Sequence, residues 1–276
     1  MNKNNIKLLV SDVDGTLLTP EKVITPETIA AVARLKKAGI RFTLISGRSP
    51  DGLPTLISQL GVTELVGAFN GAQLVWPNLS TLEFCTLPAT AAEKAIALCR
   101  EFSIDYWLYG FSRWLVSNPT GPYINHESNT VGRPPDGIWP DTKPGQDGAL
   151  PPDLIKIVGV SDQPATLAEC EAAMQHRLGG ELSASRSQAH YLDITRLGAD
   201  KGHGLRRLAT VMGVPLEHVA AIGDGFNDLP MLQAVGLAMA MGNGAHALKK
   251  MAQHVTAGNA DNGFAKAVDW LLGPAK

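Results

Sequence analysis

Two aspartates set two residues apart are the first sign of chemistry in this chain. Asp12-Val13-Asp14-Gly15-Thr16 follows directly on the apolar run Ile6-Lys7-Leu8-Leu9-Val10-Ser11. Carboxylates placed where a buried strand stops repel each other and lose hydration. A divalent cation relieves both problems, and an oxygen-rich site suits magnesium. Gly15 permits a sharp exit from the strand, and Thr16 can turn a hydroxyl or an N–H toward an anion. This set of groups suits phosphoryl chemistry, although an Asp-x-Asp-Gly string alone is also a common turn.

Further polar groups stand at the ends of other apolar runs: Ser46-Gly47-Arg48, Asn70-Gly71, and Gly223-Asp224-Gly225-Phe226-Asn227-Asp228. In an open parallel sheet the carboxyl ends of the strands share one edge, where ligands bind. Groups far apart in sequence would converge there. Asp12 can then act as nucleophile, because a carboxylate forms an acyl phosphate and divides the reaction in two. Asp14 can protonate the leaving oxygen and afterwards activate water. Magnesium would be held by Asp12, the Asp14 backbone carbonyl and Asp224. Lys201 opens a predicted helix and, with Ser46, can hold the phosphoryl oxygens. The N–H groups of Gly47 and Arg48 sit at a strand-to-helix turn that suits an anion. Asn227 could add a phosphate contact, and Asp228 could pair with Lys201 or orient a metal-bound water. Arg48 reads equally as a surface ion pair or a substrate contact, and Asn70 equally as a left-handed turn residue or a ligand contact.

The elements that must position these groups alternate in type. Residues 6–10 and 41–45 read as buried strands, with 65–69 as a third. Between the first two, Thr25 and Pro26 offer a helix N-cap and first turn, Ile29, Val32 and Leu35 recur at helical spacing, and Gly39 is a stop. Strands separated by helices imply parallel pairing. The same grammar returns late, with a helix over 202–212, strands over 219–222 and 237–241, and a closing amphipathic helix carrying Phe264, Val268, Leu271 and Leu272.

The middle differs. A helix is expected over 91–102, an aromatic strand region over 105–117, a proline- and glycine-rich excursion over 132–152, a strand over 154–160, a helix over 165–178, and a strand pair over 181–185 and 190–195. Tyr106, Trp107, Tyr109 and Trp114 alternate as strand residues do, one face packing a core and the other free to line a lid. The expected fold is therefore α/β, a doubly wound, mostly parallel sheet formed by residues 1–86 and 195–276, with an inserted α+β module over 87–194.

Four ordered motifs carry a family resemblance: Asp12-Val13-Asp14-Gly15-Thr16, Ser46-Gly47-Arg48, Asp200-Lys201-Gly202 and the stretch from Gly223 to Asp228. Their order and spacing, and the insertion between the second and third, resemble haloacid dehalogenase superfamily phosphatases of the Cof-type class with a large cap. Asn70-Gly71-Ala72, Met241-Gly242-Asn243 and Asp261-Asn262-Gly263 resemble secondary signatures of that family. The resemblance implies magnesium-dependent hydrolysis of small phosphate monoesters, sugar phosphates or similar metabolites, through an aspartyl-phosphate. It also implies a cap that closes over the phosphate and selects the organic part. A phosphomutase or phosphotransferase on the same scaffold, and a non-catalytic phosphometabolite sensor, are the rival readings.

Bulk properties narrow the classes. The 276 residues carry a net charge of −2 with no basic block, so nucleic acid is not an expected partner. No apolar run approaches a membrane span, and the N-terminal apolar stretch is too short for a signal peptide. Cys85, Cys99 and Cys170 include no Cys-x-x-Cys pair and read as thiols of a reducing cytoplasm. The glycines Gly223 and Gly225 hint at a dinucleotide loop, but Asp228 stands where the third glycine belongs and would repel a pyrophosphate.

Overall fold

The computed structural model describes residues 5–111, 113–139 and 149–273. The chain divides into two units, 1–83 with 200–276, and 84–199. The sequence-based boundaries lie at 86/87 and 194/195.

The first unit begins with β1 (Leu8–Ser11), α1 (Pro26–Lys37), β2 (Arg41–Leu44), α2 (Pro54–Leu60), β3 (Val66–Ala68), β4 (Gln73–Val75) and β5 (Thr81–Phe84). The second contains α3 (Ala89–Glu101), β6 (Asp105–Tyr109), β7 (Trp114–Val116), α4 (Ile124–Val131), β8 (Gly137–Ile138), β9 (Lys156–Val160), α5 (Pro164–Leu178), β10 (Leu182–Gln188) and β11 (Tyr191–Arg196). The chain then returns to the first unit through α6 (Lys201–Val211), β12 (Val219–Gly223), α7 (Leu229–Ala234), β13 (Leu237–Ala240), α8 (His246–Met251), β14 (His254–Val255) and α9 (Gly263–Leu272).

The main sheet is five-stranded and parallel, in the order β14-β13-β12-β1-β2. Its central strands are buried on both faces, which explains their unbroken apolar character. Leu9, Phe42, Ile222 and Met239 pack toward α1, α2 and α9 with Val32, Leu35, Phe264 and Val268. Leu8, Val10, Ala221 and Ala240 pack the opposite way with Leu205, Leu208, Met231 and Leu248 of α6, α7 and α8. Thr25 caps α1, its hydroxyl accepting the Thr28 N–H, and Pro26 occupies the first turn, as the sequence predicts.

One strand departs from expectation. Residues 65–69 read as a further parallel strand, but β3 belongs to a separate three-stranded sheet, β3-β4-β5, where it pairs antiparallel with β4. It also meets the main sheet in the expected parallel sense at the Ile45–Gly67 bridge, where the Ser46 N–H donates to the Gly67 carbonyl and the Thr43 hydroxyl to the Leu65 carbonyl. A left-handed turn at Phe69 and Asn70, with Gly71 at φ 87°, folds the chain back as β4 before β3 can lengthen.

The second unit holds a six-stranded mixed sheet, β10-β11-β9-β6-β7-β8. Tyr106, Leu108, Leu115, Ile157, Leu192 and Ile194 form a core with α3 and α5. Tyr106, Trp107, Tyr109 and Trp114 are all buried. Trp107 and Trp114 meet edge to face, and the Tyr109 hydroxyl donates to Glu127 of α4 at 2.7 Å. Sequence periodicity gave no sign of α4, because Val131 is its sole buried residue. Within the expected excursion over 132–152, β8 pairs in parallel with β7, while residues 140–148 lie outside the described residues.

Candidate active site

Asp12 follows β1, whose two neighbours place it on the carboxyl edge of the sheet. Its N–H donates to Ile222 of β12, and the Ile45 N–H donates to Ser11. Its side chain is buried, and Oδ1 accepts from Lys201 Nζ at 2.5 Å. Lys201 is the first residue of α6, where Asp200 caps the helix by accepting the His203 N–H. The helix comes close to the sheet edge because two glycines meet: a Cβ on Gly71 would lie 2.7 Å from the Gly204 Cα. Lys201 is only 1% exposed, and the same ammonium donates to Asp228 Oδ1 at 2.5 Å.

Asp228 is tied down further. Its Oδ2 accepts the backbone N–H groups of Asp224 and Gly225, both at 2.8 Å. This closes the turn after β12 and brings Asp224 to the same edge. Thr16 donates its hydroxyl to Asp224 Oδ1 at 2.9 Å, so the threonine expected to face an anion faces a protein carboxylate. Gly15, at φ 85°, lies so close that a Cβ would fall 2.7 Å from the Asp224 carboxyl carbon.

Asp12, Asp224 and Asp228 thereby place one carboxylate oxygen each within 4.8 Å of one another. Three carboxylates face one lysine, a deficit of positive charge in a poorly hydrated site. A hard divalent cation fits that donor set. Asp228 belongs to this oxygen cluster as well as pairing with Lys201. The Asp14 side chain does not belong to it.

Asp14 is engaged elsewhere. Arg48 grips it through Nε and Nη2 at 2.8 and 2.9 Å, and Lys22 Nζ reaches Oδ1 at 2.8 Å. Ser46 is buried at the end of the strand beside it, and its hydroxyl accepts the Arg48 N–H at 3.2 Å. That amide, expected to face an anion, is thus partnered within the turn; Gly47 lies half-buried between the two. Asn70 is the left-handed turn residue of its first reading, at φ 58°, and its Oδ1 accepts from Asn227 Nδ2 at 3.2 Å. Lys22 went unnoticed in the sequence, since it lies in a polar turn with no motif around it. Its left-handed backbone, at φ 62°, aims it back at Asp14.

The electrostatics follow from burial and neighbours. Burial, and then the charge of Asp228, push the Asp12 carboxyl well above the usual range against the pull of Lys201. Burial and Asp228 likewise push Asp224 up to about 6. Burial works against the Lys201 charge, but Asp12 and Asp228 outweigh it and hold the ammonium protonated more firmly than an ordinary lysine. Burial also opposes the Asp14 charge, yet the hydrogen bonds and charge of Arg48, joined by Lys22, hold that carboxyl well below its usual range.

A family model described as haloacid dehalogenase-like hydrolase matches residues 9–268. The chain belongs to this family. A putative phosphatase of Haemophilus influenzae is 32% identical over 263 residues, covering 94% of this chain and 95% of the relative. A pyridoxal phosphate phosphatase of Escherichia coli is 29% identical, covering 95% and 97%. Among solved structures, a haloacid dehalogenase-like hydrolase from Bacteroides thetaiotaomicron superposes with a TM-score of 0.79 at 28% identity, over 96% of this chain and 99% of that one. As a haloacid dehalogenase-like hydrolase with phosphatases for full-length relatives, the chain is an enzyme of the phosphatase kind. Among the described residues no helix is long and apolar enough to cross a membrane.

Proposed function

We propose that this hydrolase cleaves small phosphate monoesters, sugar phosphates or similar metabolites, through an aspartyl-phosphate on Asp12, with magnesium, in the cytoplasm. The observation that carries the reading is the buried Lys201, shared by Asp12 and Asp228, whose carboxylate oxygens lie with one of Asp224 within 4.8 Å of one another. That arrangement holds a carboxylate nucleophile beside an excess of negative charge that a cation must balance. Asp12, Asp224 and the Asp14 main-chain carbonyl would hold magnesium, with Asp228 adjacent; when bound, it offsets the charge of the nucleophile and of the phosphoryl oxygens.

The steps follow from the residues. An Asp12 oxygen attacks phosphorus, the new P–O bond forms, and the ester P–O bond breaks. Protonated Asp14 gives its proton to the departing oxygen; as carboxylate it then takes a proton from the water that attacks the phosphoryl-aspartate, releasing phosphate and restoring Asp12. Arg48 and Lys22 hold Asp14 ionised through their ion pairs with it. Substrate oxygens that draw these two cations away raise the proton affinity of Asp14, so binding prepares the acid. Lys201 and Ser46 hold the phosphoryl oxygens, and Asn227, placed by Asn70, adds a further donor.

The test is phosphate release from a panel of phosphorylated metabolites and p-nitrophenyl phosphate, with and without chelator. The proposal expects turnover that chelation abolishes and magnesium restores. Activity surviving exhaustive chelation would remove the metal from the reading. Transfer to an added acceptor without free phosphate would favour the phosphotransferase, and ligand binding without turnover would favour the sensor.

A further inference from the structure

Two asparagines outside the carboxylate cluster brace it, Asn243 by direct contact and Asn259 behind it. Asn243 follows β13. Its Nδ2 donates to the Gly15 carbonyl at 2.9 Å and faces Asp224 Oδ2 at 3.5 Å. Its Oδ1 accepts the Asn259 N–H at 2.9 Å, which sets the end of the amide that faces the carboxylate. Asn259 in turn donates through Nδ2 to the Leu18 carbonyl at 2.8 Å. Two carboxamides from late in the chain thus hold both ends of the turn over 15–18, the turn that carries Thr16.

Asp224 is consequently addressed on both oxygens, by Thr16 at Oδ1 and by Asn243 at Oδ2. Main-chain contacts fix the spacing. The Ala245 N–H donates to the Asp224 carbonyl at 2.9 Å, and a Cβ on Gly244 would lie 3.2 Å from the Asp224 Cα. Three neighbouring carboxylates repel, and a free side chain would rotate away from the other two. Donors on both oxygens of Asp224 oppose that rotation before any cation arrives.

We infer that Asn243 is a positioning residue for the cation site, holding Asp224 and the Gly15 turn in the orientation that binds magnesium, while the Asn259 side chain steadies the other end of that turn at the Leu18 carbonyl. The inference rests on the proposed magnesium role. Partners of metal ligands of this kind contribute about 10–100-fold in affinity.

The experiment measures magnesium binding to the full chain by titration calorimetry, and manganese binding by electron paramagnetic resonance. The variants are Asn243→Ala, Asn259→Ala and the double, with metal-free melting temperature recorded for each. Asn243→Ala should weaken binding about tenfold or more. Asn259→Ala, which keeps the backbone N–H to Asn243 and loses only the Leu18 contact, should weaken it less, and the double variant should bind at least as weakly as Asn243→Ala. Metal-free melting should move little, which separates positioning from a structural tie. Wild-type affinity in Asn243→Ala, or a loss that merely tracks a fall in metal-free melting, would overturn the inference. If Asn243→Ala does not fold, Asn243→Ser decides it, because its shorter side chain gives up the reach to Gly15 and Asp224: weaker binding at unchanged melting supports the role, and unchanged binding removes it. Failure of the unaltered protein to bind either ion would instead strike the magnesium reading itself.

Discussion

Replacing Lys201 by alanine removes the single cation that two buried carboxylates share. Lys201 is 1% exposed and lies 2.5 Å from both Asp12 Oδ1 and Asp228 Oδ1. With charge centres about 4 Å apart and an effective dielectric of about 20, each pair is worth about 4 kcal/mol. Against this stands the cost of burying the ammonium, several kcal/mol, which the variant no longer bears. Breaking a buried pair by deleting one partner therefore costs about 3–5 kcal/mol, because the remaining charges are left uncompensated. For a domain of this size that is a fall in melting temperature of about 10 °C. The carboxylates should respond in two ways. Asp12, already raised by burial and by Asp228, should rise further once Lys201 is gone, so acidification to about pH 5 should narrow the gap to wild type. Magnesium should also stabilise the variant more than the wild type, since it enters a site with a larger charge deficit. The assay is calorimetric melting of both proteins at about pH 7.5 and pH 5, with and without millimolar magnesium. Turnover at saturating magnesium should fall about 10²–10³-fold. A stability difference below about 1 kcal/mol, indifferent to pH and to magnesium, would refute the charge accounting.

Asp12→Asn should abolish phosphate release while keeping or raising metal-free stability, because it removes one of three repelling carboxylates; near-normal turnover would exclude Asp12 as nucleophile. Metal-free stability should fall as pH rises from about 4 through about 6, since the raised Asp12 and Asp224 bind protons more tightly folded than unfolded. Magnesium should cancel that trend, and a metal-free melting temperature that climbs across the window would contradict the sign. Asp14 contributes oppositely, its stabilisation being lost only as pH falls through a value well below the ordinary carboxylate range. Arg48→Met should release Asp14 and move upward the basic limb of the kcat/KM profile, above which the general acid has lost its proton; an unmoved limb would show that Arg48 does not govern it. Gly15→Ala would force a Cβ onto the Asp224 carboxylate at φ 85°, and should cost about 1–3 kcal/mol together with much of the magnesium affinity; wild-type magnesium binding in this variant would refute the close approach.

The middle of the chain was legible only in part. Strands β6, β9, β10 and β11 and helices α3 and α5 were legible, because apolar runs and helical spacing mark the residues that they bury in the unit's core. Helix α4 does not, since it buries one residue and is placed through Glu127 and its contact with Tyr109. The β3-β4-β5 sheet was missed for a related reason. Its strands are three or four residues long, too short for period-two alternation to declare itself.

The local sequence determined that Asp12, Ser46 and Asp224 stand at or just beyond strand ends, because apolar runs that stop at polar residues are a short-range signal. It also placed a helix over 202–212 with Lys201 at its opening, while the Asp200 cap emerged only in the structure. Which of those groups touch is a long-range matter. That Lys201 joins Asp12 to Asp228, that Arg48 and Lys22 draw Asp14 away from the carboxylate cluster, and that Asn243 reaches the Gly15 carbonyl across 228 positions depend on strand order and on the Gly71–Gly204 approach. A side chain's charge is written in its residue type. Its partner, and hence whether that charge is exposed, buried or balanced, exists only once distant strands lie side by side.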